Sequence, residues 1–311
     1  MASLLQKTPL FDYHCEVSAK MVPTGSWTMP FQFGDGCKAE YLHAFEGTCI
    51  TDFCCAGIYR MTGVNANEIR NISKIQKVGE CCIYEWKKDN HLIDTPFAVC
   101  MAENDFLTAF APSAGKICTE SFDTTEMQDL SEVFGCIAVW GSECFETLSK
   151  LGIAAGDWQS SSSCRVEIDS VRCIANYITL NNELPCVILF FDREKTDDVW
   201  IALFNTPGVW AAGTGAWDMM RIQQILPPWN TVNCPLPLLL CEWRGNKIPL
   251  KHTTVEWQAK NAVRQAQIIY TVRVPDTDTA FLLFSGEFEA NSCVKTPENT
   301  EESGILVNQR C

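Results

Sequence analysis

The sequence has no C-x-x-C pair, although it holds 18 cysteines, and it has only 4 histidines: His14, His43, His91 and His252. Zinc and iron–sulfur sites draw on thiolates and imidazoles at short spacing, so neither is expected. Cations are also scarce, with Lys+Arg 24 against Asp+Glu 38 and a net charge of −14. Binding a phosphate backbone needs clustered positive charge, which argues against a nucleic-acid partner. Long apolar runs are missing. The longest, Pro235 to Cys241 and Cys186 to Phe191, fall well short of the roughly 20 residues that span a bilayer, so no transmembrane segment is expected. Met1 to Leu10 lacks the apolar stretch of a signal peptide. The thiols are therefore expected to be small buried hydrophobes in a reducing compartment. Asn71-Ile72-Ser73 is a glycosylation sequon by pattern alone.

Hydrophobic residues make up 47% of the 311 positions, which excludes intrinsic disorder and suffices for two or three cooperating domains. The first 34 residues are rich in turn formers. Helical spacing then predicts a helix over 35–49, with Asp35 as its cap, and a strand over 50–62. A helix is predicted over 65–75, with strands at 80–87, 97–101, 106–111 and 135–139 and a helix at 143–151. The second half predicts strands at 164–168, 172–177 and 185–191, and a short helix from Thr196 through Leu203. A further helix over 216–225 follows the Gly213-Thr214-Gly215 turn and stops at Pro227-Pro228. Strands are predicted at 268–274 and 279–284, and the tail from Lys295 to Cys311 reads as polar and irregular. Short strands mixed with helices, without βαβ spacing, indicate an α+β fold.

Several stretches, in order, resemble the aminomethyltransferase (T protein) family of the glycine cleavage system. They are Thr8-Pro9-Leu10-Phe11-Asp12-Tyr13-His14, Lys20-Met21-Val22-Pro23, Trp27-Thr28-Met29-Pro30-Phe31-Gln32-Phe33 and Ala39-Glu40-Tyr41-Leu42-His43. Asp52-Phe53-Cys54-Cys55-Ala56-Gly57 and Arg60-Met61-Thr62-Gly63 continue the match. Gly213-Thr214-Gly215-Ala216-Trp217-Asp218-Met219-Met220-Arg221 forms a late anchor. The resemblance covers about residues 8–245. It implies a folate-binding fold of mixed antiparallel sheets with helices, two interleaved subdomains over 1–245 and a shortened β-rich C-terminal region over 246–311. It also implies a pocket for tetrahydrofolate and transfer of an aminomethyl group from a lipoyl arm.

That chemistry needs a carboxylate beside the attacking folate nitrogen. The family uses the second aspartate of a doublet that follows two glycines. Here the stretch is Asn90-His91-Leu92-Ile93-Asp94-Thr95, so Asp94 keeps the first aspartate and Thr95 occupies the working position. A shift of one residue would instead put Asp94 there. A hydroxyl without a base cannot replace an ionised carboxylate. The family's serine-histidine-methionine run is Cys54-Cys55-Ala56, and its arginine before Asp218 is Trp217. Asp218 and Arg221 are retained, with a structural alternative as a helix-start cap and an ion pair. Glu183 is the candidate pocket glutamate, while Gln223-Gln224-Ile225, Trp229-Asn230 and Pro237 replace other polar or glycine positions.

Neither Cys293 nor Gly304 restores the family's C-terminal turn, and Lys38 follows Cys37 rather than forming the motif of the iron–sulfur-repair relatives. Cys55 with His43 or His91 is a weak nucleophile–base candidate, and Gly213-Thr214-Gly215 a weak phosphate cradle. The expectation is a catalytically degraded member acting as a structural or accessory subunit of a larger, mitochondrial assembly, with no cofactor. No cleavable presequence is visible, since the resemblance begins at Thr8. The alternatives are an active or divergent tetrahydrofolate-dependent transferase, with Asp94 as carboxylate, and a folate-binding sensor without turnover.

Overall fold

A computed structural model describes the chain except residues 1–4, 181–183, 224, 245–247, 260–261, 274–278, 288–291, 297–298 and 311. The chain divides into two compact units, Met1–Trp86 with Asp94–Trp217, and Lys87–Ile93 with Asp218–Cys311. No helix among the described residues is long and apolar enough to cross a membrane.

The first unit is built around a six-stranded sheet. Its order is Ser162–Ile168, Val171–Thr179, Pro185–Asp192, Phe134–Trp140, Thr48–Asp52 and Val209–Ala211. Neighbours are antiparallel except the last pair. The apolar run from Cys186 to Phe191 is continuous because this strand is buried on both faces. On one face Ile137, Val139, Val187, Leu189 and Phe191 pack with Val199, Trp200 and Leu203 of the helix Thr196–Phe204. Asp169 and Ser170 join the first two strands, and both have positive φ (46° and 65°), as a type I′ hairpin requires. A five-stranded antiparallel sheet runs Met127–Asp129, Gly57–Thr62, Asp105–Phe110, Phe97–Ala102 and Cys81–Ile83.

The turn-rich N-terminus is more regular than expected. Helix Phe11–Glu16 and strands Lys20–Thr24 and Trp27–Gln32 occupy it. Pro23 lies on an edge strand and Pro30 at a register shift opposite Lys20 and Met21, the two places where a sheet tolerates a residue without an N–H. The predicted helix over 35–49 ends at His43, and the predicted strand over 50–62 is two strands, Thr48–Asp52 and Gly57–Thr62. They part because the Asp52 carboxylate accepts the Cys54 N–H at 2.8 Å, a side-chain bond that folds the backbone into a turn.

The second unit holds a seven-stranded antiparallel sheet ordered Ala262–Gln267, Thr254–Ala259, Cys293–Thr296, Asn299–Arg310, Leu238–Arg244, Thr279–Ser285 and Tyr270–Arg273. Leu239, Cys241 and Trp243 bury one face of its central strand, and Leu238 and Leu240 the other. The tail is therefore not irregular. Leu306 points into the core with Cys241 as its register partner. Gly304 allows the approach, since a Cβ there would meet Cys241 Sγ at 2.4 Å and Glu242 O at 2.9 Å. The 17 described cysteines are free thiols, most of them buried.

Candidate functional site

Strand His91–Asp94 ends at the carboxylate of interest. The chain enters it through Asp89 and Asn90, both left-handed (φ 47° and 60°). Aspartate and asparagine tolerate this region; of the two positions where the resemblance expects glycine, Asn90 and His91, only Asn90 adopts it. Asp94 is buried, with both carboxylate oxygens held by main chain. Oδ1 accepts the Thr95 N–H at 2.6 Å and Oδ2 the Ala111 N–H at 2.8 Å. Its negative charge is thereby spent on closing the backbone between the strand and the Pro112–Ala114 turn. Thr95 is buried beside it.

The motifs that carry the resemblance position this scaffold, and sequence reading missed how. Asp52 is fully buried. Its Oδ2 accepts the Thr8 hydroxyl at 2.6 Å and lies 3.0 Å from His14 Nε2. Burial pushes its carboxyl up, but the bonds from His14, Thr8 and Cys54 and the His14 charge outweigh this and hold it below the usual range. Phe33 and Trp200 enclose the imidazole edge-on, at 5.6 and 5.3 Å. Glu40 clamps two other segments, its Oε1 accepting from Phe33 N at 2.5 Å and its Oε2 from Gly213 N at 2.9 Å. Burial raises the Glu40 carboxyl, and the two N–H bonds oppose that.

Gly213 fails as a phosphate cradle for two reasons. Its N–H is already given to a carboxylate, and a Cβ there would sit 2.2 Å from Phe31 O. Backbone fills the space where an anion would lie. The cysteine–histidine pair fares no better. Burial first, then the nearby Asp52, pushes the Cys55 thiol well up, which disfavours the thiolate that a nucleophile needs. His43 stacks on Trp210 with centroids 4.1 Å apart, and His91 Nδ1 lies 2.9 Å from Asp89 O. No group of three or more potential metal ligands occurs among the described residues.

The helix predicted to end at Ile225 is Thr214–Ile222. Trp217 is buried edge-on against Phe53 at 5.1 Å and Trp140 at 5.5 Å, and its indole N–H has no hydrogen-bond partner among the described residues. In the second unit Asp218 Oδ1 accepts from Trp229 N at 2.7 Å, and Arg221 Nε donates to Pro227 O at 2.9 Å. Both retained charges thus secure the turn that follows the helix. Ile225 adopts φ 57° there and is buried with Leu92, Ile222 and Leu226. Glu183 and Gln224 lie outside the described residues.

Burial pushes the Asp218 carboxyl up to about 6. A folded value above the unfolded one favours the protonated form, so this contribution is complete below about pH 4 and is lost as pH rises through 6. Asp218→Asn should flatten the stability–pH curve of the chain between about pH 4 and 6, measured by urea unfolding across that range. An unchanged slope would contradict the assignment.

The model of the family described as GCVT N-terminal domain matches residues 10–231. The aminomethyltransferase of Desulforamulus reducens is 26% identical over 240 residues, covering 71% of this chain and 65% of that protein. That of Deinococcus deserti is 26% identical over 245 residues, covering 72% and 65%. That of Parafrankia sp. is 28% identical over 239 residues, also covering 72% and 65%. The chain thus spans a little under two thirds of the length of these relatives. The crystal structure of glycine cleavage system aminomethyltransferase T from Bartonella henselae superposes with a TM-score of 0.77, covering 98% of this chain and 97% of that one at 15% identity. At that identity the likeness shows the fold alone.

Proposed function

The chain belongs to the GCVT N-terminal domain family, and from that premise we propose that it is a member without aminomethyl transfer, serving as a structural or accessory subunit of a larger assembly. The observation that carries this reading is the state of Asp94 and Thr95. Asp94 has both oxygens committed to backbone N–H groups, and its neighbour offers a hydroxyl. With each Asp94 oxygen tied to a backbone N–H and Thr95 uncharged, the acceptor capacity left at this position for an attacking nitrogen is reduced. Trp217, standing where the resemblance expects a cation, supplies no charge for a folate carboxylate. The residues present do not fit tetrahydrofolate chemistry.

A narrower second reading, ligand binding without turnover, is favoured by Trp217 alone. A buried N–H without an acceptor is costly, and a bound molecule could supply one.

Two measurements test these readings. In a turnover assay with tetrahydrofolate and an aminomethyl-lipoyl donor, product is expected to stay at the uncatalysed background. Product formation that Asp94→Asn abolishes in a folded protein would overturn the first reading. Calorimetry with tetrahydrofolate separates the second, since binding without product supports it and no heat rejects it. Purified from its source under native conditions, the chain should travel with stable partners. A lone monomer would refute the accessory role.

A further inference from the structure

Strand Ser162–Ile168 is the outer strand of the six-stranded sheet. Ser163 turns its N–H outward, away from Val171–Thr179, and gives it to Gly79 O at 2.7 Å. Backbone groups alternate sides along a strand. Arg165 and Glu167 therefore present their N–H and C=O groups on the same outward side, beyond the short Glu80↔Ser162 bridge that covers the other end. The register pairs Arg165 with Ile174 and Glu167 with Arg172, so these four side chains share one face. With Val166 and Cys173 they line a groove of about 560 Å³.

Both arginines are exposed, and neither has a hydrogen bond or ion pair among the described residues. Elsewhere in this unit Arg60 pairs with Asp105 at 2.7 Å, Arg193 lies 3.7 Å from Glu132, and Arg70 donates to the carbonyl of Gln76 at 3.0 Å. In a chain of net charge −14, two guanidinium groups against the single carboxylate of Glu167 leave the lining of this groove with a net positive charge.

The geometry points to this edge as the docking site for an extended acidic segment of a partner protein, which adds a strand beside Arg165–Ile168. Main-chain bonds to Arg165 and Glu167 supply the pairing, and the two guanidinium groups select the charge of the incoming side chains. Charges on an exposed edge repel apolar strands and so guard against self-association, while leaving the edge open to a strand of opposite sign. The type I′ turn at Asp169-Ser170 holds the hairpin in shape, which lowers the ordering cost of docking. This inference rests on the accessory-subunit reading and names the chemistry of one partner.

The probe is a blocked, fluorescein-labelled peptide of alternating glutamate and valine, titrated with the full chain and followed by anisotropy. Binding is expected, weakening with salt. It should fall by at least about tenfold in Arg165→Glu/Arg172→Glu, and the lysine–valine peptide should not bind. Glu167→Pro removes an outward N–H without breaking the internal ladder. It should weaken binding several-fold even though it deletes a like charge, while Glu167→Gln should bind as well as or better than the unaltered chain. Hydrogen exchange gives an independent reading, since peptide should protect the Arg165 and Glu167 amides. No binding, or unchanged exchange at these amides with equal affinity of the Pro and Gln variants, would overturn the proposal and leave the charges as an edge guard only. Turnover in the folate assay would refute the accessory role while leaving the peptide result standing.

Discussion

Asp52→Ala should cost about 3–5 kcal/mol of stability. The carboxylate sits at zero exposure between the Thr8 hydroxyl, the His14 imidazole and the Cys54 N–H. Removing it leaves three buried polar groups without their partner, and His14 Nδ1 already has no hydrogen-bond partner among the described residues. An unpaired buried group bears its full desolvation cost. Replacing both partners with groups of similar shape should cost much less, so Asp52→Asn/His14→Phe is expected to be more stable than Asp52→Ala. The aromatic surround of Tyr13, Phe33 and Trp200 suits a phenyl ring.

The pH dependence has a definite sign. A carboxyl whose folded value lies below its unfolded one stabilises fully above the unfolded value of about 4, and loses this as pH falls further. Asp52 and Asp218 therefore act in adjacent windows and in opposite directions. Urea unfolding followed by tryptophan fluorescence checks both. An Asp52→Ala variant within about 1 kcal/mol of the unaltered chain would show that the network does not hold this unit together.

Asp94→Ala is the second large effect, and the two views of this residue predict different results. If its oxygens serve the backbone of Thr95 and Ala111, removing them loses two bonds to a charged acceptor, about 3–5 kcal/mol together. The melting temperature should then fall by about 10 °C, with no activity to lose. A working catalytic carboxylate would behave in the opposite way, because sites of chemistry are commonly held at a cost to stability. Asp94→Ala would then leave the melting temperature unchanged or raised and abolish product. Thermal unfolding by circular dichroism, run beside the turnover assay, decides between them. A variant that melts like the unaltered chain would remove the main support for a structural Asp94.

The resemblance picked out Thr8, His14, Asp52, Glu40 and Gly213 as anchors but could not say what they do. Their bonds span up to 173 positions in sequence, as between Glu40 and Gly213, and no local pattern records such a partner. Asp94 and Thr95 were legible as a changed doublet. That Asp94 is committed on both oxygens was not, since Ala111 lies on another segment. The tail shows the same limit. Only Ile305-Leu306-Val307 is apolar there, and its polar flanks conceal a strand running from Asn299 to Arg310.

By itself, the sequence determined what rests on composition and short-range periodicity. Apolar runs such as Cys186 to Phe191 become strands because only burial on both faces suits them. The helix from Thr196 and the strands on either side of Asp169-Ser170 follow from local spacing. Tertiary structure alone decided which polar groups are spent on the scaffold and which stay open. Hydrogen bonds between distant segments close Asp52, Glu40 and Asp94 into the interior, while strand order leaves Arg165 and Glu167 at an edge with their backbone facing outward. The reason is that side-chain identity sets what a group can bond, but only the path of the chain sets what it meets.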